Sequence, residues 1–290
     1  MTQQLSGRAV KRIQKELLAF HTVNEVVKDM SKEQDDRRSM LLAKKFGKKK
    51  STKPHVEEKM QIGSNDSKKD KTIFLHVPNE SDMSRILAMI IGPESTPFAG
   101  AFLCFEIRFP YNYPIDPPTF KFITPNTPDC RMHPNLYACG KVCLSILNTW
   151  AEKQWSAYST IENVLTTIQS ILTSNPITHE PAHEGMPSDD GRAIIYECVS
   201  RYRALSAGLV FFMTRHDVPA EFHEAAMAYI NKHTSLYHTI IRTLHIDIAS
   251  ISEFGKWNIP LDITHCHDFI LTHAKYQQLE AGITALLVKK

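Results

Sequence analysis

Residues 131–157 read RMHPNLYACGKVCLSILNTWAEKQWSA and place one cysteine, Cys143, in a defined polar setting. His133 opens the segment two residues before Asn135, and Gly140 ends a loop shortly before the cysteine. The proline that separates His133 from Asn135 fixes its own backbone angle, and glycine accepts angles that other residues avoid, so both are typical of a tight loop. The Asn135 amide can donate to a developing oxyanion, and a cysteine thiolate is a strong nucleophile. The stretch therefore predicts acyl transfer through a thioester on Cys143, with the rest of the chain as its scaffold.

The composition is that of an ordinary globular protein, with 42% hydrophobic and 22% charged residues in a chain of 290. No apolar run of about 18 residues predicts a membrane span, and the first residues lack the apolar stretch of a secretory leader. We therefore expect an intracellular, cytoplasmic protein without a membrane partner. Its six cysteines are expected to be reduced thiols rather than a disulfide framework.

The net charge of +3 is unevenly distributed along the chain. Residues 28–71 contain 14 Lys and Arg against 8 Asp and Glu, a balance of +6 that leaves −3 for the remainder. Few large apolar side chains occur there, so we expect part of the segment to be a mobile loop. The lysines within 44–53 fit a nuclear address, a contact with nucleic acid or another anionic surface, or a solvated loop, and the solvated loop is the favoured reading.

The hydrophobic periodicity predicts an α+β fold. Apolar residues three and four apart predict a first helix over 8–30, with Ser6 as its N-cap. Four runs rich in Ile, Phe and Val then predict an antiparallel meander, at Ile73–Val77, Arg85–Ile91, Phe102–Phe109 and Thr119–Ile123. Further helices are expected over 159–173, 190–214, 219–245 and 262–287, the last one broken near Gly282. We expect these helices to pack on one face and one end of the sheet.

Several short motifs around Cys143 resemble the core of the ubiquitin-conjugating enzyme family. They are Gly92-Pro93, Thr96-Pro97-Phe98, Phe109-Pro110, Tyr113-Pro114 with Pro117-Pro118, His133-Pro134-Asn135, Cys143-Leu144 with Ile146-Leu147, and Trp155-Ser156. The resemblance implies the ubiquitin-conjugating fold with a cis Tyr113-Pro114 bond. It divides the chain into an N-terminal helix over 1–30, a basic insertion over 31–71, a catalytic core over 72–215 and a helical C-terminal extension over 216–290. Four extra residues between Cys143 and Trp155, together with the long helical tail, resemble one particular group within the family.

The resemblance also implies the chemistry of the site. Cys143 would accept the C-terminal glycine of ubiquitin or a ubiquitin-like modifier from an activating enzyme and pass it to a lysine or to a ubiquitin ligase. No metal and no cofactor is expected to bind directly, because the activating enzyme consumes the ATP. Asn135 would serve the oxyanion or brace the loop, and His133 would hold the loop. The acidic residue that many members carry after the Asn-Pro pair is missing, so His179, or Glu180 beside it, is the candidate to orient the incoming amine.

The resemblance places partner surfaces at two further segments. In the family the first helix contacts the activating enzyme, which makes Arg8, Lys11, Arg12 and Lys15 the candidates, although a solvated helix face explains them equally well. Ligases dock on the positions that correspond to Ile115, Asp116, Trp155 and Ala157. The residue types at 115, 116 and 157 differ from those common in the family, which puts the ordinary RING-ligase contact in doubt.

Two other interpretations of the same residues remain open. Cys130, His133, Cys139 and Cys143 are zinc-ligand types, but their spacing is not a common zinc frame. The chain could also be a non-catalytic module that keeps the fold and binds ubiquitin or another partner. The presence of Cys143 favours the enzyme.

Overall fold

The computed structural model describes residues 5–19, 70–124, 131–150, 154–254 and 273–288. A four-stranded sheet forms the centre, with β1 at Ile73–His76, β2 at Arg85–Ile91, β3 at Phe102–Arg108 and β4 at Thr119–Phe122. Each strand pairs antiparallel with the next one along the chain, so the predicted meander is confirmed. The Tyr113-Pro114 bond is cis, as predicted.

Six α-helices lie around this sheet in the described part of the chain. They are α1 at Gly7–Ala19, α2 at Ile161–Ile171, α3 at Gly191–Leu205, α4 at Ala220–Lys232, α5 at Thr234–Phe254 and α6 at His273–Val288. Short 3-10 turns occur at Ser145–Leu147, Pro176–His179 and Phe212–Thr214, and a π-helical turn at Ser206–Phe211. Ser6 caps α1, because its hydroxyl accepts the backbone N–H of Ala9 at 3.1 Å. The predicted continuation of this helix to residue 30, the basic insertion up to residue 69, and residues 262–272 lie outside the described residues.

Two helix predictions were wrong in detail. The segment predicted as one helix over 219–245 is two helices that meet at His233, where the ring contacts Asp70 at 2.7 Å. This contact joins residues far apart in sequence, so local periodicity could not indicate it. The predicted break at Gly282 does not occur, and α6 runs through this glycine. A Cβ at Gly282 would lie 2.8 Å from a methyl group of Val210, so the glycine permits close helix packing instead of ending the helix.

The sheet is covered on both faces, which corrects the expectation that the helices pack on one face and one end. Along β2, Ile86, Ala88 and Ile90 belong to the core shared with α1 and α2. The alternate residues Leu87 and Met89 belong to a second core, shared with the helices that follow residue 205. Because six consecutive residues of β2 are buried, its sequence is apolar without alternation, as expected for a strand covered on both sides. None of the described helices is long and apolar enough to cross a membrane.

Candidate active site

The loop before Cys143 is attached to the edge strand β4. The backbone N–H of Phe122 donates to the Gly140 carbonyl at 2.8 Å, and an isolated bridge pairs Lys121 with Lys141. Gly140 has a φ of 91°, and a Cβ there would lie 2.9 Å from the Phe122 carbonyl oxygen, so only glycine fits this turn without strain. The strand therefore fixes the point at which the chain enters the turn that carries Cys143.

His133 is fully buried and uses both ring nitrogens within the fold. Its Nε2 lies 2.9 Å from the Ile171 carbonyl at the end of α2 and donates to it, while Nδ1 accepts the Asn135 backbone N–H at 3.0 Å. Burial, followed by repulsion from His179, lowers the pKa of His133 to about 3. The imidazole is therefore neutral at physiological pH and ties the loop to α2.

Asn135 contacts the backbone of the cysteine twice. Its side-chain Nδ2 donates to the Cys143 carbonyl at 2.7 Å, and its own carbonyl accepts the Cys143 N–H at 2.9 Å. These bonds brace the turn, and the second hydrogen of the amide nitrogen is the group that an oxyanion would use. The predicted roles as brace and as oxyanion donor are thus compatible in one side chain.

The Cys143 side chain lies under the chain that follows it, with only 2% of its surface exposed. Its Sγ–H donates to the Thr149 carbonyl at 3.1 Å. The Thr149 hydroxyl accepts the N–H of Leu144 at 2.8 Å and lies 2.8 Å from the Val142 carbonyl. Sequence reasoning did not single out Thr149, and the only signal was the four extra residues of this loop.

A cleft beside this turn brings together two parts of the predicted site, since Asn135 and His179 both line it, as does the half-exposed Trp150. The ring of His179 lies 5.1 Å from that of His133, and partial burial lowers the pKa of His179. His179 is therefore neutral at physiological pH, as a proton acceptor must be.

Glu180, the other residue considered for the amine, is committed to a buried network. Its carboxylate is 5% exposed, accepts the Tyr196 hydroxyl at 2.9 Å and lies 3.6 Å from Arg131 Nη2. Arg131 in turn donates to the Pro134 carbonyl at 2.5 Å and stacks on Tyr137. These contacts join α3 to the catalytic loop, which leaves His179 as the better placed of the two.

The predicted activating-enzyme surface on α1 divides in two. Arg8, Lys11 and Lys15 are exposed. Arg12 is half-buried, pairs with Glu16 and donates to the Ser159 carbonyl at 3.0 Å. The hydrogen bond that Arg12 donates to Glu16 raises the pKa of Arg12. Arg12 thus fastens α1 to the segment before α2, and a role for these four residues in binding the activating enzyme stays a prediction.

The residues of the predicted ligase surface also differ in exposure and in their contacts. Ile115 is 63% exposed, Asp116 accepts the Asn112 amide at 2.5 Å, and Ala157 is exposed. Trp155 is half-buried and its indole N–H donates to the Pro114 carbonyl at 2.9 Å, which links the two segments of this surface. Tyr158, which is 91% exposed, lies at the end of the same loop.

The residues of the alternative zinc site do not fit a metal centre. His133 has both ring nitrogens in hydrogen bonds, so neither is available to a cation, and Cys143 donates to a carbonyl. Cys139 is exposed, and Cys130 lies outside the described residues. Within the described ranges, no cluster of three or more His, Cys, Asp and Glu residues could hold a metal ion.

The fold and the site together define a class of protein. It is an α+β domain with an antiparallel meander, in which a His-Pro-Asn loop is bonded to the backbone of a cysteine, the candidate nucleophile, and a short helical turn follows that cysteine. The particular family follows from comparison, because residues 56–189 match the family model described as ubiquitin-conjugating enzyme. This part of the chain is therefore similar to the ubiquitin-conjugating enzyme family.

Two proteins named E2 Z show a similarity in sequence. Over 108 residues the chain is 48% identical to ubiquitin-conjugating enzyme E2 Z of Danio rerio, a match that covers 37% of this chain and 33% of that protein. The Homo sapiens protein of the same name is 47% identical over 108 residues, covering 37% and 30%. E2 Z is the group within the family that the four extra residues between Cys143 and Trp155 and the long helical tail resemble. A solved Toxoplasma gondii ubiquitin conjugating enzyme E2 domain is 26% identical with a TM-score of 0.38, covering 47% of this chain and 88% of that one. The chain spans about a third of the length of the two E2 Z relatives it matches.

Proposed function

We propose that this chain accepts ubiquitin or a ubiquitin-like modifier as a thioester on Cys143 and passes it to a lysine or to a ligase. The observation that carries the proposal is the placement of Cys143. In a domain of the ubiquitin-conjugating family, this cysteine begins a turn whose backbone is held by Asn135 and, through Asn135, by the buried His133.

Charging begins with an activating enzyme that carries the modifier as a thioester on its own cysteine. The Cys143 thiolate attacks the carbonyl carbon of that thioester. The new carbon–sulfur bond to Cys143 forms, the bond to the activating enzyme's cysteine breaks, and the departing sulfur leaves as a thiolate that takes up a proton. ATP is consumed before this step by the activating enzyme, so the chain needs no cofactor of its own. The exposed cations Arg8, Lys11 and Lys15 are the residues of α1 available to that enzyme.

Transfer consumes the thioester. A lysine amine attacks the carbonyl, the carbon–nitrogen bond forms, the carbon–sulfur bond breaks, and Cys143 leaves as a thiolate. The amine must lose its proton, and we assign this step to His179, since it is neutral and lines the cleft beside Asn135. Ile115, Asp116, Trp155 and Ala157 form the surface on which a ligase would dock.

A charging assay tests the proposal with two matched cysteine variants. The chain is incubated with an activating enzyme, ATP and a modifier, and is run on gels with and without dithiothreitol. We expect an adduct that dithiothreitol removes, that Cys143→Ala abolishes, and that Cys139→Ser retains, because Cys139 is an exposed thiol four residues away.

An adduct that persists in Cys143→Ala would contradict the proposal. So would the absence of any adduct across a panel of activating enzymes when the folded chain still reacts with an alkylating agent at Cys143. The second result would favour the non-catalytic binding module.

A further inference from the structure

The nucleophile of the proposed reaction is covered in this structure. Cys143 is 2% exposed, and the Thr149 carbonyl oxygen lies 3.1 Å from its Sγ. An incoming thioester carbon must approach this sulfur to bonding distance, and the carbonyl oxygen occupies space beside it.

Thr149 is fixed to both residues that flank the cysteine. Its hydroxyl accepts the Leu144 N–H at 2.8 Å and lies within donating distance of the Val142 carbonyl, also at 2.8 Å. Its backbone N–H donates to the Leu144 carbonyl at 3.2 Å. We call this set of bonds from Thr149 to Val142, Cys143 and Leu144 the Thr149 latch.

Residues near Thr149 in the sequence also bond to one another. Asn148 takes a left-handed conformation with a φ of 56°, which turns the chain back over the cysteine. The Asn148 side-chain oxygen accepts the Trp155 N–H at 3.1 Å, and the Gln154 N–H donates to the Ser145 carbonyl at 3.2 Å. Bonds of Thr149 itself and of the preceding Asn148 therefore set the position of the Thr149 carbonyl. Trp150 follows directly and lines the cleft with His179, so a movement of Thr149 would also change the cleft.

We propose that Thr149 is a positioning residue that covers the Cys143 thiol, and that a protein delivering the modifier must displace the latch before the thioester forms. This inference rests on the proposed function for its biological meaning. Its physical content does not depend on that function: the hydrogen bonds of the Thr149 hydroxyl hold the Thr149 carbonyl over the thiol.

The test is the rate at which iodoacetamide alkylates Cys143, measured by mass spectrometry of the peptide that contains it. Thr149→Val removes the hydroxyl at nearly constant size, and Thr149→Ser keeps it. The hydrogen bonds of the hydroxyl, which are of ordinary strength, hold the thiol covered. Without them the uncovered form is more populated, so we expect the valine variant to react about 5- to 30-fold faster than the parent chain. The serine variant should react at the parent rate. An unchanged rate in the valine variant, or an equal rise in both, would overturn the proposal.

A second variant guards against misfolding, which a thermal melt of each protein monitors. Asn148→Gly accepts the left-handed angle but removes the side-chain oxygen that accepts the Trp155 N–H, so it loosens the turn next to the latch and leaves the Thr149 side chain unchanged. If Thr149→Val does not fold, Asn148→Gly decides: faster alkylation supports the latch, and the parent rate overturns it.

Alkylation requires neither activating enzyme nor modifier, so the two proposals can fail separately. Faster alkylation of Thr149→Val in a chain that never charges would keep the latch and reject the conjugating function. Normal charging of the parent chain together with an unchanged alkylation rate in Thr149→Val would keep the conjugating function and reject the latch.

Discussion

His133 links the acid sensitivity of the fold to the catalytic loop. Its imidazole is fully buried, and both of its nitrogens are satisfied only in the neutral form. The pKa is about 3 in the folded chain against an ordinary value of 6.5. Between these values the unfolded chain binds a proton that the folded chain does not, so the stability due to neutral His133 is full above pH 6.5 and is lost as the pH falls toward 3.

We therefore expect the free energy of unfolding to fall by about 1.4 kcal/mol per pH unit across this window from His133 alone. Urea unfolding of the parent and of His133→Gln at several pH values measures the difference in slope, since other groups titrate equally in both. Parallel profiles would contradict this account of His133.

His179 should act on transfer and not on charging. Since its ring lines the cleft beside Asn135 and its pKa is lowered, we expect His179→Ala to charge normally but to discharge to free lysine about 10- to 100-fold more slowly. Single-turnover discharge of the preformed thioester measures this step. His183→Ala is the control, because His183 lies in the same loop and its ring Nδ1 lies 3.0 Å from the Pro181 carbonyl. Equal discharge by His179→Ala and the parent would remove His179 from the mechanism.

The residues proposed to carry the chemistry were easier to find in the sequence than the residues that hold them in place. Cys143, Asn135 and His133 stand in a short motif, so their proximity is encoded locally. Thr149 acts through a backbone carbonyl, whose direction depends on the turn and not on the residue type. Arg131 and Tyr196 meet at Glu180 from distant segments, and single-sequence patterns carry no information about such a contact.

At the scale of the elements, α1 is attached to the core through one buried carboxylate. Glu16 is 7% exposed, pairs with Arg12, accepts the Tyr113 hydroxyl at 2.7 Å and accepts the Ile161 N–H at 2.9 Å. Burial, then the bond to Glu16, raises the pKa of Tyr113. Three donors from α1, the Tyr-Pro segment and the start of α2 thus converge on one side chain.

Glu16→Gln should lower the free energy of unfolding by about 1 to 3 kcal/mol, because the amide removes the charge and brings its own N–H groups against three donors. Chemical denaturation measures the change. Gln14→Ala, an exposed position on the same helix, should stay within about 0.5 kcal/mol of the parent. A Glu16→Gln chain as stable as the parent would show that this junction does not hold α1.

The strands were predicted to within one residue at their ends, because their apolar runs are bounded by proline and glycine. The helices after residue 205 were less well predicted. Their apolar residues face both the sheet and the neighbouring helices. Apolar residues therefore occur on more than one face of each helix, and the spacing of three and four residues is less clear at His233 and around Gly282.

At the scale of the molecule, the C-terminal helices are part of the core. Residues on both sides of the proposed boundary at 215 and 216 share one hydrophobic cluster with the second face of the sheet. Phe102 on β3, for example, packs against Phe212 and Tyr229, which lie on opposite sides of that boundary. The boundaries of the proposed domains stay predictions, but this packing implies that core and extension unfold together.

Two isoleucines on α5 test this implication. Ile240 is 6% exposed and Ile246 is 64% exposed. Ile240→Ala should destabilise the whole chain by about 2 to 5 kcal/mol, and Ile246→Ala by less than about 0.5 kcal/mol. Both should unfold in one transition, followed by circular dichroism and by tryptophan fluorescence in a Trp257→Phe background, where the remaining tryptophans, Trp150 and Trp155, lie in the proposed core. Loss of helical signal in Ile240→Ala before any change in fluorescence would show that the extension is a separate unit.

The most direct test of the central claim is to locate the bond to the modifier. The charged chain is digested with pepsin under acidic, non-reducing conditions and analysed by mass spectrometry. We predict that the C-terminal fragment of the modifier is joined to the peptide that contains Cys143, and that dithiothreitol releases it. A modifier joined to the peptides that contain Cys130 or Cys139, or held on a lysine through a bond that resists dithiothreitol, would contradict the account.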